Sequence, residues 1–192
     1  MRNPAEREIK KEVVLSKCFG CLMEKGIEAT TIKDFSEATG MATSSIYYWF
    51  EDKDEIVFDA TNYCINYVVD NIFTYSMQHL NNIPTFFNEF PDFVQDYKSP
   101  LKTIIQITTS KKYGEKIKET FSYTENLYDK CAERISSLLN AEYSKVRILV
   151  DLFVSTMIDY VIWDEKEKFV NELAFILSVL ENAKVIDKEN PL

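Results

Sequence analysis

The sequence predicts an all-α protein, and three observations carry that prediction. Of 192 residues only 4 are glycine and 5 proline, while 46% are hydrophobic, a composition suited to long helices with few interruptions. Apolar residues recur at i, i+3, i+4 and i+7 through most of the chain. Helix-start signals come twice in short order: Thr31-Ile32-Lys33-Asp34 and Asp52-Lys53-Asp54-Glu55 both have capping-box spacing. The pattern divides into about nine helices of ordinary length.

Residues 5–25 read as the first helix. Val14, Cys18, Cys21 and Leu22 share one face, Leu15 and Phe19 widen it, and Gly26 supplies the stop. Cys18 and Cys21 have C-x-x-C spacing, which elsewhere serves metal or redox chemistry. Here both thiols fall on the apolar stripe, there is no second C-x-x-C, and the single His is remote at 79. They are expected to be buried hydrophobes.

The next helix starts at the Thr31 box, with Ile32, Phe35 and Ala38 expected on one apolar face, and ends at Gly40. A short helix over about 43–50 follows, with Ile46 and Phe50 as its buried pair and no charged residue. Two short helices across a glycine turn fit a helix-turn-helix, and equally an ordinary antiparallel helix pair. The helix opening at Asp52 is expected to run to His79, itself a surface or cap residue, and to break at Asn81–Pro84.

Residues 84–98 hold Phe86, Phe87, Phe90, Phe93 and Tyr97, with Pro91 in the middle and Pro100 as the expected end. Helices are expected over 99–112 and, after a turn at Gly114, over 115–139. Most of these aromatics should be core. Their density, mixed with polar tips, also suits an apolar ligand cavity with a few orienting groups: Phe86, Phe90, Phe93, Tyr97, Thr108, Tyr113, Phe121 and Tyr128. Acids in 54–97, a stretch with no Lys or Arg, fit either a lipophilic occupant that is also cationic or solvated carboxylates outside an apolar pocket.

The last two helices, about 144–163 and 166–185, are apolar on more than one side. Leu149, Phe153, Met157, Tyr160, Phe169, Leu173, Ile176, Leu177 and Leu180 exceed one core stripe, so a homodimer through this pair is expected. Residues 187–192 form a polar tail.

Composition narrows function. With one His, no triad can be built around a second imidazole, and no phosphate-binding glycine loop occurs. The expectation is a protein that is not an enzyme, with no cofactor and no metal. Met1–Lys11 is dense in charge, and no apolar window is long enough to span a membrane. Four scattered cysteines do not make a disulfide scaffold, which points to the cytoplasm. The net charge of −9 argues against a general nucleic-acid binder. Residues 1–53, however, are nearly neutral, with 8 Lys+Arg against 9 Asp+Glu.

The run TT-I-K-D-F-x-x-A-x-G-M, then S-S-I-Y-Y-W-F, then D-K-D-E-I resembles the N-terminal signature of the TetR (tetracycline-repressor-like) family of bacterial transcription regulators. Tyr47, Phe50 and Lys53 are its most specific parts, and the resemblance covers roughly the first third of the chain. It implies a helix-turn-helix head at 1–53 and an effector-binding and dimerisation body at 54–192. It also implies double-stranded operator DNA, a small-molecule effector and a homodimer as partners, with repression relieved by the effector. Tyr47 and Lys53 match phosphate-holding positions; Thr43, Ser45, Tyr48 and Trp49 match positions near base edges or backbone. Thr31, Lys33 and Ser44 complete the DNA-facing set. The chain departs from the pattern in having Ala42 where a Ser cap is usual, so Thr43 is a candidate cap. It also lacks Lys or Arg on the recognition helix. A helical small-molecule-binding protein or enzyme without DNA binding is the alternative.

Overall fold

The computed structural model describes residues 4–186, and the polar tail expected at 187–192 lies outside them. Ten α-helices are found among the described residues: α1 (Pro4–Lys25), α2 (Ile32–Thr39), α3 (Thr43–Trp49), α4 (Lys53–His79), α5 (Ile83–Gln95), α6 (Lys98–Thr108), α7 (Gly114–Lys118), α8 (Ser122–Leu139), α9 (Tyr143–Trp163) and α10 (Lys166–Ile186). A single 3₁₀ turn, Leu80–Asn82, links α4 to α5. The all-α expectation holds.

Three boundaries differ from the periodicity, the first being α6, which ends at Thr108 rather than at 112. The helix expected over 115–139 is broken into α7 and α8, because the Thr120 N–H and hydroxyl both turn back to the Ile117 carbonyl and leave the helical path. Pro100 does not end a helix but sits in the first turn of α6, where its missing N–H costs nothing.

The chain folds as two compact units. The first is Met1–Val68 with Ser99–Thr120; the second is Val69–Lys98 with Phe121–Leu192. The border therefore falls inside α4. In the first unit Val14, Leu15, Cys18, Phe19, Cys21 and Leu22 of α1 are all buried, as their spacing predicts, together with Phe35, Ile46, Phe50, Ile56 and Val57. Ala38 is exposed and Ile32 only half-buried, so α2 contributes Phe35 alone to that core.

The second unit is organised around aromatic rings. Phe90 is fully buried, with Phe153 at 4.7 Å, Phe86 at 5.2 Å and Phe93 at 5.9 Å between centroids. Tyr75 stacks on Phe93 at 3.8 Å, and Tyr160 lies parallel to Phe169 at 4.7 Å. Such pairs contribute about 0.5–1.5 kcal/mol beyond their area. α8 is tied to α9 by Arg147, whose guanidinium reaches Asp129 at 2.7 Å, Glu125 at 2.6 Å and Asp151.

Candidate nucleic-acid interface

The α2–α3 pair is built by local chemistry. Thr31 Oγ1 accepts the Asp34 N–H at 3.3 Å, and Asp34 Oδ2 accepts the Thr31 N–H at 2.7 Å, a reciprocal box at the start of α2. Lys25 also binds Asp34, and these donors hold its carboxyl well below the usual carboxylate range. At the other end Gly40 takes φ 70°, the left-handed cap that a side chain would disfavour. Its N–H turns back to the Glu37 and Ser36 carbonyls, and the Ser36 hydroxyl donates to Met41 O at 2.5 Å, closing the turn.

α3 starts with Ala42 in the cap position, without a side-chain bond. Thr43 is therefore not the cap, and its side chain stays exposed. Ile46 (0% exposed) and Phe50 (2%) anchor α3 inward. Tyr47 (55%) and Tyr48 (77%) project outward beside the exposed Thr43 and Ser44, while Ser45 and Trp49 are half-buried. The result is a short helix, firmly seated, whose outer face offers hydroxyls and aromatic rings and no charge.

The cations flank it. Lys33 is exposed on α2, 3.6 Å from Glu37. Lys53, the first residue of α4, donates from Nζ to the Glu28 carbonyl at 3.4 Å. The two acids around Lys53 serve the helix start: Asp52 accepts the Glu55 N–H at 2.9 Å, and Glu55 accepts the Glu51 N–H at 2.5 Å. The thiols of Cys18 and Cys21 are buried, and burial pushes Cys18 up to about 12. Among the described residues no His, Cys, Asp and Glu cluster could hold a metal.

The expected pocket residues are shared between the two units, with Phe86, Phe90, Phe93 and Tyr97 joined ring to ring in the second. Thr108 and Tyr113 belong to the first unit; Phe86, Phe90, Phe93, Tyr97, Phe121 and Tyr128 belong to the second. Phe86 and Phe90 are core, packed ring to ring. The acids of 54–97 also find partners from distant sequence: Asp54 with Lys112 at 2.6 Å, Asp59 with Lys11 at 3.1 Å, Asp92 with Lys166 at 2.6 Å. These three of the seven acids are therefore already paired within the chain.

The expected dimer residues fall at different depths. Met157, Tyr160, Phe169, Leu173, Ile176 and Leu180 are buried within the unit itself, and Phe153 packs on Phe90. Leu149 and Leu177 are half-buried. The large apolar side chains that α9 and α10 leave outside are Ile148 (66%), Leu152, Ile158, Ile162, Trp163 (67%), Val170 and Phe175 (63%). Leu152 and Phe175 line an open groove of about 840 Å³ with Thr156, Lys168 and Glu172. Periodicity misses this side because Ser155 and Asp159 interrupt its stripe on α9.

An all-helical protein with a capped helix-turn-helix in its first unit is thus defined by fold and site. Residues 15–60 match the family model of bacterial regulatory proteins of the tetR family. The biofilm operon icaADBC negative transcriptional regulator IcaR of Staphylococcus epidermidis is 30% identical over 60 residues, 31% of this chain and 32% of that one. The match thus spans about a third of that regulator's length. Among solved structures, one of the tetR family from Mesorhizobium loti superposes with TM-score 0.71 at 10% identity, covering 93% of this chain and 97% of that one. FadR of Bacillus subtilis in complex with stearoyl-CoA gives 0.60 at 12% identity, covering 88% and 97%. Residues 15–60 thus carry the tetR-family helix-turn-helix signature, and the fold over most of the chain is that of the solved structures it matches.

Proposed function

We propose that the protein is a dimeric transcriptional repressor that holds a palindromic operator and leaves it when a small molecule binds the body. The observation that carries this reading is α3: a helix anchored by Ile46 and Phe50, with Thr43, Ser44, Tyr47 and Tyr48 turned outward and Lys33 and Lys53 at its flanks. Lys53 and the Tyr47 hydroxyl position the head on phosphates; the hydroxyls and rings of Thr43, Ser45, Tyr48 and Trp49 meet base edges and sugar. Thr31 contributes at the start of α2. Residues 1–53 are the reading head, and 54–192 carry effector and dimer contacts.

Two copies pair through the outer side of α9 and α10, where Ile148, Leu152, Ile162 and Phe175 are left exposed and the groove between the two helices is open. The effector is apolar, since the body's interior is aromatic and a neighbour in fold binds stearoyl-CoA. It acts by favouring a conformation whose two heads no longer match the operator spacing. The test is selection of duplexes from a random-sequence pool by the purified protein. The expected product is a two-fold symmetric site with half-sites about one or two helical turns apart. Recovery of no enriched sequence contradicts the reading.

A further inference from the structure

We propose that the lysine-rich segment around α7 is a second DNA-backbone contact, which extends the head's phosphate-binding surface along the start of α4. This rests on the DNA reading above.

The first observation is the distribution of charge. Met1–Val68 alone holds 8 Lys+Arg against 12 Asp+Glu, which is repulsive towards a polyanion. The segment that packs with it, Ser99–Thr120, supplies Lys102, Lys111, Lys112, Lys116 and Lys118 against only Glu115 and Glu119. The completed unit then carries 13 against 14, and the cations that balance it come from outside the helix-turn-helix.

The second observation is where those cations are held. Lys112 Nζ lies 2.6 Å from Asp54 Oδ1, and the Tyr113 hydroxyl donates to the same oxygen at 2.8 Å. Asp54 follows Lys53, so the Lys112 ammonium sits at the first turn of α4, beside the lysine assigned to phosphate. It also neutralises a carboxylate there that, unlike Asp52 and Glu55, is not occupied by a backbone N–H of the helix start. One turn further along, Lys116 Nζ stands 4.0 Å over the Phe58 ring. Lys111 and Lys118 are exposed, with no ion pair among the described residues.

The third observation is that the segment is fixed in place. A Cβ at Gly114 would lie 2.5 Å from the Thr108 carbonyl oxygen, so the turn is held to glycine. The Gly114 N–H bonds Ser110 O at 3.0 Å, and the Tyr113 N–H bonds Ser110 Oγ at 3.2 Å. Fixed ammonium groups within about a Debye length, roughly 8 Å, of bound phosphates release counterions on binding.

The test is fluorescence anisotropy of the full-length protein across a salt series, on the selected duplex and on a mixed-sequence duplex. Head contacts alone, about four to six phosphates per dimer, give a log–log slope of roughly −4 to −5. With one or two added contacts per protomer the wild type should show about −6 to −8 on both duplexes, at about −0.9 per contact. Lys112→Gln with Lys116→Gln, the two lysines held along the start of α4, should bring the slope back to roughly −4 to −5 and weaken both duplexes alike. Lys130→Gln with Arg134→Gln, the same charge change on α8, should leave the slope unchanged. If the α7-segment double variant keeps the wild-type slope while Lys53→Ala flattens it, the second contact does not exist and the head reading stands. If the wild type binds neither duplex, both readings fall.

Discussion

The two units solve the same packing problem with different materials. The first fills its core with aliphatic residues, three thiols and the rings Phe19, Phe35 and Phe50, and carries 13 Lys+Arg against 14 Asp+Glu. The second packs ring on ring around Phe90 and carries 9 against 17. A net charge of −9 for the whole chain hides this division. An acidic protein can approach DNA when its acid is concentrated outside the unit that does the binding. Here the near-neutral unit is the one that holds the helix-turn-helix.

The contrast predicts opposite outcomes for two substitutions on α10. Leu173→Glu puts a carboxylate at a position 1% exposed within the second unit, so the variant should fail to fold, at a cost of roughly several kcal/mol. Phe175→Glu, at a position 63% exposed, should fold and release a monomer. Circular dichroism with light scattering separates them, and a folded Phe175→Glu dimer shows that this side is not the interface.

Phe90→Ala should cost about 3–5 kcal/mol, since the ring is fully buried and its cavity is walled by other rings that cannot collapse into it. Denaturant titration measures it; a loss below about 1 kcal/mol would mean that the aromatic cluster adapts as a loose cavity does.

Thr31→Ala should cost about 1 kcal/mol by removing the cap of α2, with operator affinity falling as order in the head declines. Asp34, in the same box, provides a pH signature. Its folded carboxyl is held low by Lys25 and Thr31, so its stabilisation is complete above the ordinary carboxylate range, about pH 4. It is lost as pH falls through the folded value. Asp34→Asn should therefore be less stable than wild type at neutral pH and should converge with it in acid, followed by thermal melts across pH; a constant gap contradicts the assignment.

The head is more legible in the sequence than the body. The Thr31 box, the Gly40 cap, and the buried Ile46 and Phe50 are all set by local rules, in which a residue's own neighbours dictate its conformation. The body's helices are readable but their orientation is not. Met157, Phe169 and Leu173 read as surplus apolar surface because the burial they find comes from tertiary packing; Phe169, for one, meets Phe90 of α5, far away in sequence. The true exterior, Ile148, Leu152 and Phe175, is masked by the polar residues between them. The acids of 54–97 read as unpartnered for the same reason: Lys112 and Lys166 come from distant segments.

The central claim is that α3 and the start of α4 meet DNA, and Lys53→Ala tests it most directly. In a salt series on the selected duplex, the variant should weaken binding and flatten the log–log slope by about 2, since each half-site gives up one lysine–phosphate ion pair. Tyr47→Phe should weaken binding with the slope nearly unchanged, since a neutral hydroxyl releases no counterion. A Lys53→Ala protein with wild-type affinity and wild-type slope would contradict the account.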